Sequence, residues 1–179
     1  MAEAKLERTE NGLVPQEDGW FVLNAKDAAW MHVDELGEYV GFEGREARFT
    51  ELGLNLNVMA PGQPMAMYHR ENRQEDFLVL NGEAIAIVEG QERRLRAWDL
   101  FHCPANVDHV VIGAGAGSCL ILAVGARRPG DHGLVYPADE TAQKHGAGVD
   151  NETTEGNEAY ARFSKPVMRP YREGDLPDV

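Results

Sequence analysis

His69 and Glu71 lie two residues apart, Glu75 follows four residues after Glu71, and His109 comes some thirty residues after Glu75. On a strand, residues i and i+2 point to the same face, so His69 and Glu71 share a face wherever this stretch is extended. A bend at residues 72–74 then places Glu75 on the neighbouring strand, facing the same cavity, and His109 opens a later strand. Imidazole nitrogens and carboxylate oxygens suit zinc, iron or manganese, and no soft thiolate is required. Four such ligands leave positions open in a five- or six-coordinate ion, where water or a substrate binds. Each residue also has a plainer reading, a satisfied strand histidine or a solvated glutamate. The joint spacing tips the balance. Uncompensated carboxylates inside a barrel cost on the order of several kcal/mol, and a cation removes that cost.

Strands must hold these residues. The alternation Leu52, Leu54, Leu56, Val58 within 47–62 fits a strand with one buried face. Residues 77–104 then divide into Phe77–Leu80, Ala84–Val88, Arg93–Ala97 and Leu100–Cys103, broken by Asn81-Gly82 and Glu89-Gly90. These pairs supply the positive φ angles of tight hairpins. His109–Ile112 and Cys119–Val124 close the series around a glycine-rich turn at 113–117. Short strands with a turn every ten residues or so indicate a sandwich or barrel. Residues 19–30 are expected to add one or two strands, and 31–39 a short helix. After Gly125 the composition turns to glycine and proline, which indicates loop, with one helical turn near 138–145. The chain divides accordingly into an N-terminal arm with strands (1–46), a barrel core (47–125) and a loop-rich C-terminal arm (126–179).

The segment 61–83, PGQPMAMYHRENRQEDFLVLNGE, resembles the first motif of the cupin superfamily. That motif has a glycine, two histidines one residue apart, a glutamate four or five residues later, and a closing glycine. Gly62, His69, Glu75 and Gly82 match it, and Glu71 stands at the second histidine. The stretch 98–109, WDLFHCPANVDH, is similar to the second motif through Asp99, Pro104 and His109. Trp98 takes the place of a glycine there. Asn106 takes another, and Asn tolerates the left-handed conformation best among the other residues. The resemblance covers about residues 50–125. It implies an all-β cupin fold, a double-stranded β-helix or jelly-roll barrel. It also implies a divalent metal held by His69, Glu71, Glu75 and His109, with Glu71 either a ligand or a general base, and a homodimer. It leaves the reaction open, because one fold hosts many activities.

Composition narrows the partners. The 179 residues include 43% hydrophobic and 26% charged residues, as in a globular domain. No run reaches the 18 apolar residues of a membrane span, and the polar start MAEAKLERTE lacks the apolar core of a secretory signal. A cytoplasmic location is the expectation. Of the 30 acidic and 17 basic residues behind the net charge of −13, the middle section is nearly balanced and the acid excess lies toward the ends. No basic face offers itself to a phosphate backbone, so a small molecule is the expected partner. Cys103 and Cys119 form no CxxC pair and fit small buried hydrophobes. His102 has two readings, a proton relay lining the cavity or a buried histidine bonded to backbone. The Arg127-Arg128 pair reads as an anion attractor or as solvated charge, and His132 and His145 carry no assigned role. The leading functional expectation is a metal-dependent enzyme of oxygenase or isomerase type acting on a small polar organic molecule. The alternative is a non-catalytic binding or sensing module with a structural metal.

Overall fold

The computed structural model describes residues 1–127, 130 and 133–177. Its twelve strands are β1 (Leu6–Thr9), β2 (Gly12–Pro15), β3 (Ala29–Val33), β4 (Gly37–Val40), β5 (Leu52–Met59), β6 (Glu75–Asn81), β7 (Glu83–Val88), β8 (Gln91–Arg96), β9 (Leu100–Cys103), β10 (His109–Ala114), β11 (Cys119–Ala126) and β12 (Val167–Pro170). Two short helices, α1 (Glu140–Lys144) and α2 (Gly156–Ala159), lie in the C-terminal part. The large sheet runs β12-β3-β4-β5-β11-β6-β9, the smaller one β10-β7-β8, and β1 pairs with β2 alone. All of these pairings are antiparallel. The two larger sheets face each other as a jelly-roll of the double-stranded β-helix type.

Alternation along the central strands explains the layering. Phe77 and Val79 on β6, Ile121 on β11 and Val111 on β10 pack between the sheets with Met59, Ala84, Cys103 and Cys119. The leucine face of β5 turns the other way. There Val58 and Leu120 meet Trp30 and Val40, with Leu56, Leu23 and Tyr171 against them. Both faces of the large sheet are therefore covered. The outer face of the small sheet is closed by Tyr68, Ala142 and Ala147 over Ile87, Val110 and Ile112.

The turns follow the chemistry of their residues. Gly82, Glu89 and Gly90 adopt φ of 78°, 49° and 71°, and Asn106 adopts 66°. Helix α1 falls inside the helical turn expected near 138–145, where Asp139 caps it by accepting the Ala142 N–H at 2.8 Å.

Two expectations are corrected. Residues 31–39 form no helix. Instead β3 and β4 make a hairpin whose turn closes through the Leu36 N–H on the Val33 carbonyl (3.0 Å), with Gly37 at φ 86°. Burial of Trp30, Val33 and Val40 on a sheet face outweighs any local helical preference there. Within 19–30, only Ala29 and Trp30 enter a named strand, and the β1-β2 hairpin ahead of it carried no recognised pattern.

Candidate metal centre

The segment 63–70 belongs to no named strand, yet it runs along β10. The Met65 N–H donates to the Val111 carbonyl at 2.8 Å. His69 and His109 then exchange both backbone hydrogen bonds, 3.0 and 2.8 Å. Residues paired this way stand directly opposite, with side chains on one face, so the imidazoles lie side by side with centroids 4.7 Å apart. Glu75 arrives from the other sheet, as the first residue of β6, on the inward face it shares with Phe77 and Val79. Its Oε2 lies 3.4 Å from His69 Nε2 and 3.2 Å from His109 Nε2. Two sheets meet at this cluster.

The tautomers follow from the backbone. His69 Nδ1 lies 2.7 Å from the Met67 carbonyl and His109 Nδ1 lies 3.0 Å from that of Val107. A carbonyl only accepts, so each Nδ1 carries its proton and donates, leaving a lone pair on each Nε2. Such backbone anchoring is what orients metal-binding imidazoles. Glu75 Oε2 and His109 Nε2 are buried without a hydrogen-bond partner among the described residues. Three lone-pair atoms thus face one another, and the ligand atoms of His69, Glu75 and His109 all lie within 4.8 Å. Nitrogen and oxygen donors so disposed fit a divalent cation. A proton on Nε2 stands in for a cation at the same place, and the charged imidazoles then donate to Glu75. Burial alone would raise the Glu75 pKa, but bonding and charge from the two imidazoles prevail and hold it at about 2. For His69, burial opposes the charged form, and Glu75 outweighs it, so the pKa is raised.

All four expected residues border one cavity of about 290 Å³. Three of them form the cluster. Glu71 lines the cavity beside it, and its carbonyl accepts the Asn106 N–H at 2.7 Å, which ties the left-handed turn before His109 to the strand of His69. No lysine or arginine is among the described lining residues.

Other side chains stand differently from their expectations. His102 neither lines the cavity nor is buried. Phe101 and Cys103 take the inward positions of β9, which turns His102 outward onto Asp76 at 2.7 Å, its partner across β6. Arg127 is neither an anion attractor nor loosely solvated. It grips Glu43 with both terminal nitrogens and donates to the Phe49 carbonyl. Arg128 and His132 lie outside the described residues, and His145 pairs with Glu92 at 2.8 Å. Both cysteines are free and buried, and burial pushes the Cys103 thiol up to about 12, which suits inert packing.

The cavity also holds residues with no recognised sequence signal. Asn55 and Asn57 occupy the other face of β5, the polar half of its alternation. Tyr136 stands over the cluster, its ring 6.2 Å from that of His69, because residues 134–136 lie along the His69 strand through reciprocal Arg70–Val135 bonds of 3.0 Å. Tyr160 meets Tyr136 edge-on at 5.8 Å and accepts the Met67 N–H at 3.0 Å. The polar positions of β5 were the available signal for Asn55 and Asn57. Neither tyrosine had one, since both come from loop-rich sequence.

Residues 55–125 match the family model for the cupin domain. That segment has the cupin fold, with facing sheets, and it carries His69, Glu75 and His109. Among solved structures, a putative sugar phosphate isomerase from Acidithiobacillus ferrooxidans aligns at 22% identity over 48% of this chain and 54% of its own, with a TM-score of 0.43. A sugar phosphate isomerase from Silicibacter pomeroyi aligns at 21% identity over 52% of this chain and 65% of its own, TM-score 0.44. The chain thus spans less than two thirds of either. A cupin 2 domain-containing protein from Halorhodospira halophila shares 15% identity over 61% of this chain and 75% of its own, TM-score 0.49. No functionally curated protein matches the sequence.

Proposed function

We propose that the protein is a metal-dependent enzyme, of oxygenase or isomerase type, acting on a small polar organic molecule. His69, Glu75 and His109 hold one zinc, iron or manganese ion, and Glu71 moves the proton. The observation that carries this reading is the meeting of two backbone-oriented Nε2 lone pairs with the half-buried Glu75 carboxylate in the wall of a cavity. A divalent ion held there supplies Lewis acidity, and iron or manganese adds redox chemistry. The chain supplies the rest. Glu71 borders the same cavity, within reach of a substrate hydroxyl or C–H acid seated beside the cluster. Asn55, Asn57, Tyr136 and Tyr160 offer hydrogen bonds that orient a polar substrate, and Met65 and Phe77 keep water away from the reacting side. With two carboxylates balancing a dication, the cavity favours neutral or chelating molecules over strongly anionic ones.

Elemental analysis of protein purified without added metal tests the assignment. About one divalent ion per chain is expected, falling at least tenfold in His109→Ala and Glu75→Ala and persisting in Glu71→Gln. Unchanged metal content in the first two variants rejects the ligand set. Water-proton relaxation of the manganese-loaded protein separates an enzyme from a closed structural site, since an open position exchanges water and a closed tetrahedral one does not.

A further inference from the structure

Beyond the metal cavity lies a second one of about 370 Å³, and the two share Asn55, Asn57, Met65 and Tyr160 along their walls. The character changes across that boundary. Past Asn57 the walls are largely apolar, formed by Val33, Leu36 and Tyr39 of the β3-β4 hairpin with Phe163 and Pro166 of the C-terminal segment. This annex is built. The Ser164 N–H and hydroxyl both donate to Glu35 (3.0 and 2.8 Å), and the Asp34 N–H donates to Ser164 (3.2 Å). Gln63 fastens the same turn from the metal side by donating to the Asp34 carbonyl at 2.9 Å. At the boundary stands Asn57, 9% exposed, whose Nδ2 finds no hydrogen-bond acceptor among the described residues. A buried amide donor left unpaired is costly, and here it lines the space where a ligand would run.

We infer that the substrate is amphipathic. Its polar, metal-chelating head occupies the cavity of His69, Glu75 and His109. An acceptor atom at its waist takes the Asn57 Nδ2 hydrogen, and a non-polar arm of some four to six carbons fills the annex against Leu36, Tyr39 and Phe163. The inference rests on the proposed metal site and adds the chemical class of what that site receives. The hairpin and the C-terminal segment, both outside the matched cupin segment, then act as the specificity walls of the site.

Alkyl hydroxamates supply the probe, because their head, neutral when free, chelates divalent ions through its two oxygens as it releases one proton to the buffer, while the chain length is free to vary. Acetohydroxamate and hexanohydroxamate are titrated calorimetrically into the metal-bearing protein, in wild type and in Leu36→Glu, Leu36→Trp and Asn57→Leu. Burying a methylene is worth about a fourfold gain in affinity, less the ordering of the chain. Hexanohydroxamate should therefore bind at least tenfold tighter than acetohydroxamate. Leu36→Glu charges the annex and Leu36→Trp fills it, so each should erase that ratio with acetohydroxamate affinity and metal content unchanged. The hydroxamate carbonyl oxygen keeps a second lone pair that takes the Asn57 Nδ2 hydrogen, so Asn57→Leu should weaken both probes about five- to tenfold, the worth of one hydrogen bond. Equal affinity for the two probes on metal-bearing wild type overturns the apolar arm and leaves the metal centre standing, as does a length preference that survives both Leu36 variants. Undiminished binding to Asn57→Leu overturns the donor at the waist. If the protein holds no metal and binds neither hydroxamate, the metal centre and the inference fall together.

Discussion

A single residue type can be forced into an unfavourable backbone conformation when its neighbours leave no alternative, and Trp98 is such a case. It sits at φ 76° in the turn between β8 and β9, where the resembling motif carries glycine, with its side chain 75% exposed. Its N–H donates to the Val79 carbonyl at 2.7 Å and the Asp99 carboxylate accepts the Arg96 N–H at 3.0 Å, so the turn is held from both sides. A left-handed conformation costs a bulky residue about 1–2 kcal/mol, partly offset in glycine by greater freedom of the unfolded chain. Trp98→Gly is therefore expected to stabilise the fold by about 0.5–1 kcal/mol in urea unfolding. A clear loss of stability would mean that the exposed indole packs on something. Asn106, at φ 66° in the turn before His109, carries a smaller penalty of the same kind.

The elements are held in register by charge pairs as well as by apolar burial. Glu43, just past β4, accepts two bonds from Arg127 at the end of β11 and one from the Phe49 N–H at 2.6 Å. Buried Arg169 of β12 reaches Glu38 on β4 at 2.9 Å and Asp175 at 2.7 Å. Burial raises the pKa of Glu43 and of Asp175, but in each the guanidinium and backbone bonds outweigh it, and both are held below their ordinary 4.5 and 3.8. A carboxylate whose pKa is depressed on folding contributes stability that is full above its unfolded value and lost as pH falls through the folded one. Unfolding midpoints should accordingly be flat from about pH 6 to 5 and fall below about pH 4.5. In Glu43→Gln the fall should be shallower, on a baseline about 1–3 kcal/mol lower near pH 6, because Arg127 loses a charged double hydrogen bond. An identical acid profile in the variant would remove Glu43 from the account.

At the scale of the whole molecule, the arms do more than trail from a barrel. β3, β4 and β12 extend the large sheet, and the residues before and after them cover its outer face. The outermost strand of that sheet leaves Val167 and Met168 exposed, and Trp20 and Val22 of the N-terminal arm are exposed as well. An open edge beside apolar side chains is a natural seat for a second copy. We expect a homodimer, with sedimentation at micromolar concentration reporting twice 19.8 kDa. A monomer under those conditions rejects it. No helix among the described residues is long and apolar enough to cross a membrane.

What the sequence determined by itself was local. Turn residues marked the hairpins of β6 to β9 because glycine and asparagine adopt positive φ at low cost. Alternation marked β5, and two motifs in order marked the histidines and Glu75. The tertiary structure decided what depends on partners distant in the chain. His69 and His109 are neighbours because two segments exchange backbone bonds, and their tautomers are set by carbonyls whose direction no spacing reveals. His102 faces out because Phe101 and Cys103 claim the inward positions of a strand only four residues long. The hairpin at 29–40 stays a hairpin because Trp30 and Val40 are buried against the large sheet. Asn57 reads as the polar half of an ordinary alternation until the second sheet and the segment around Tyr160 close over it. Burial is a property of what covers a residue, and the covering chain here comes from as far as a hundred positions away.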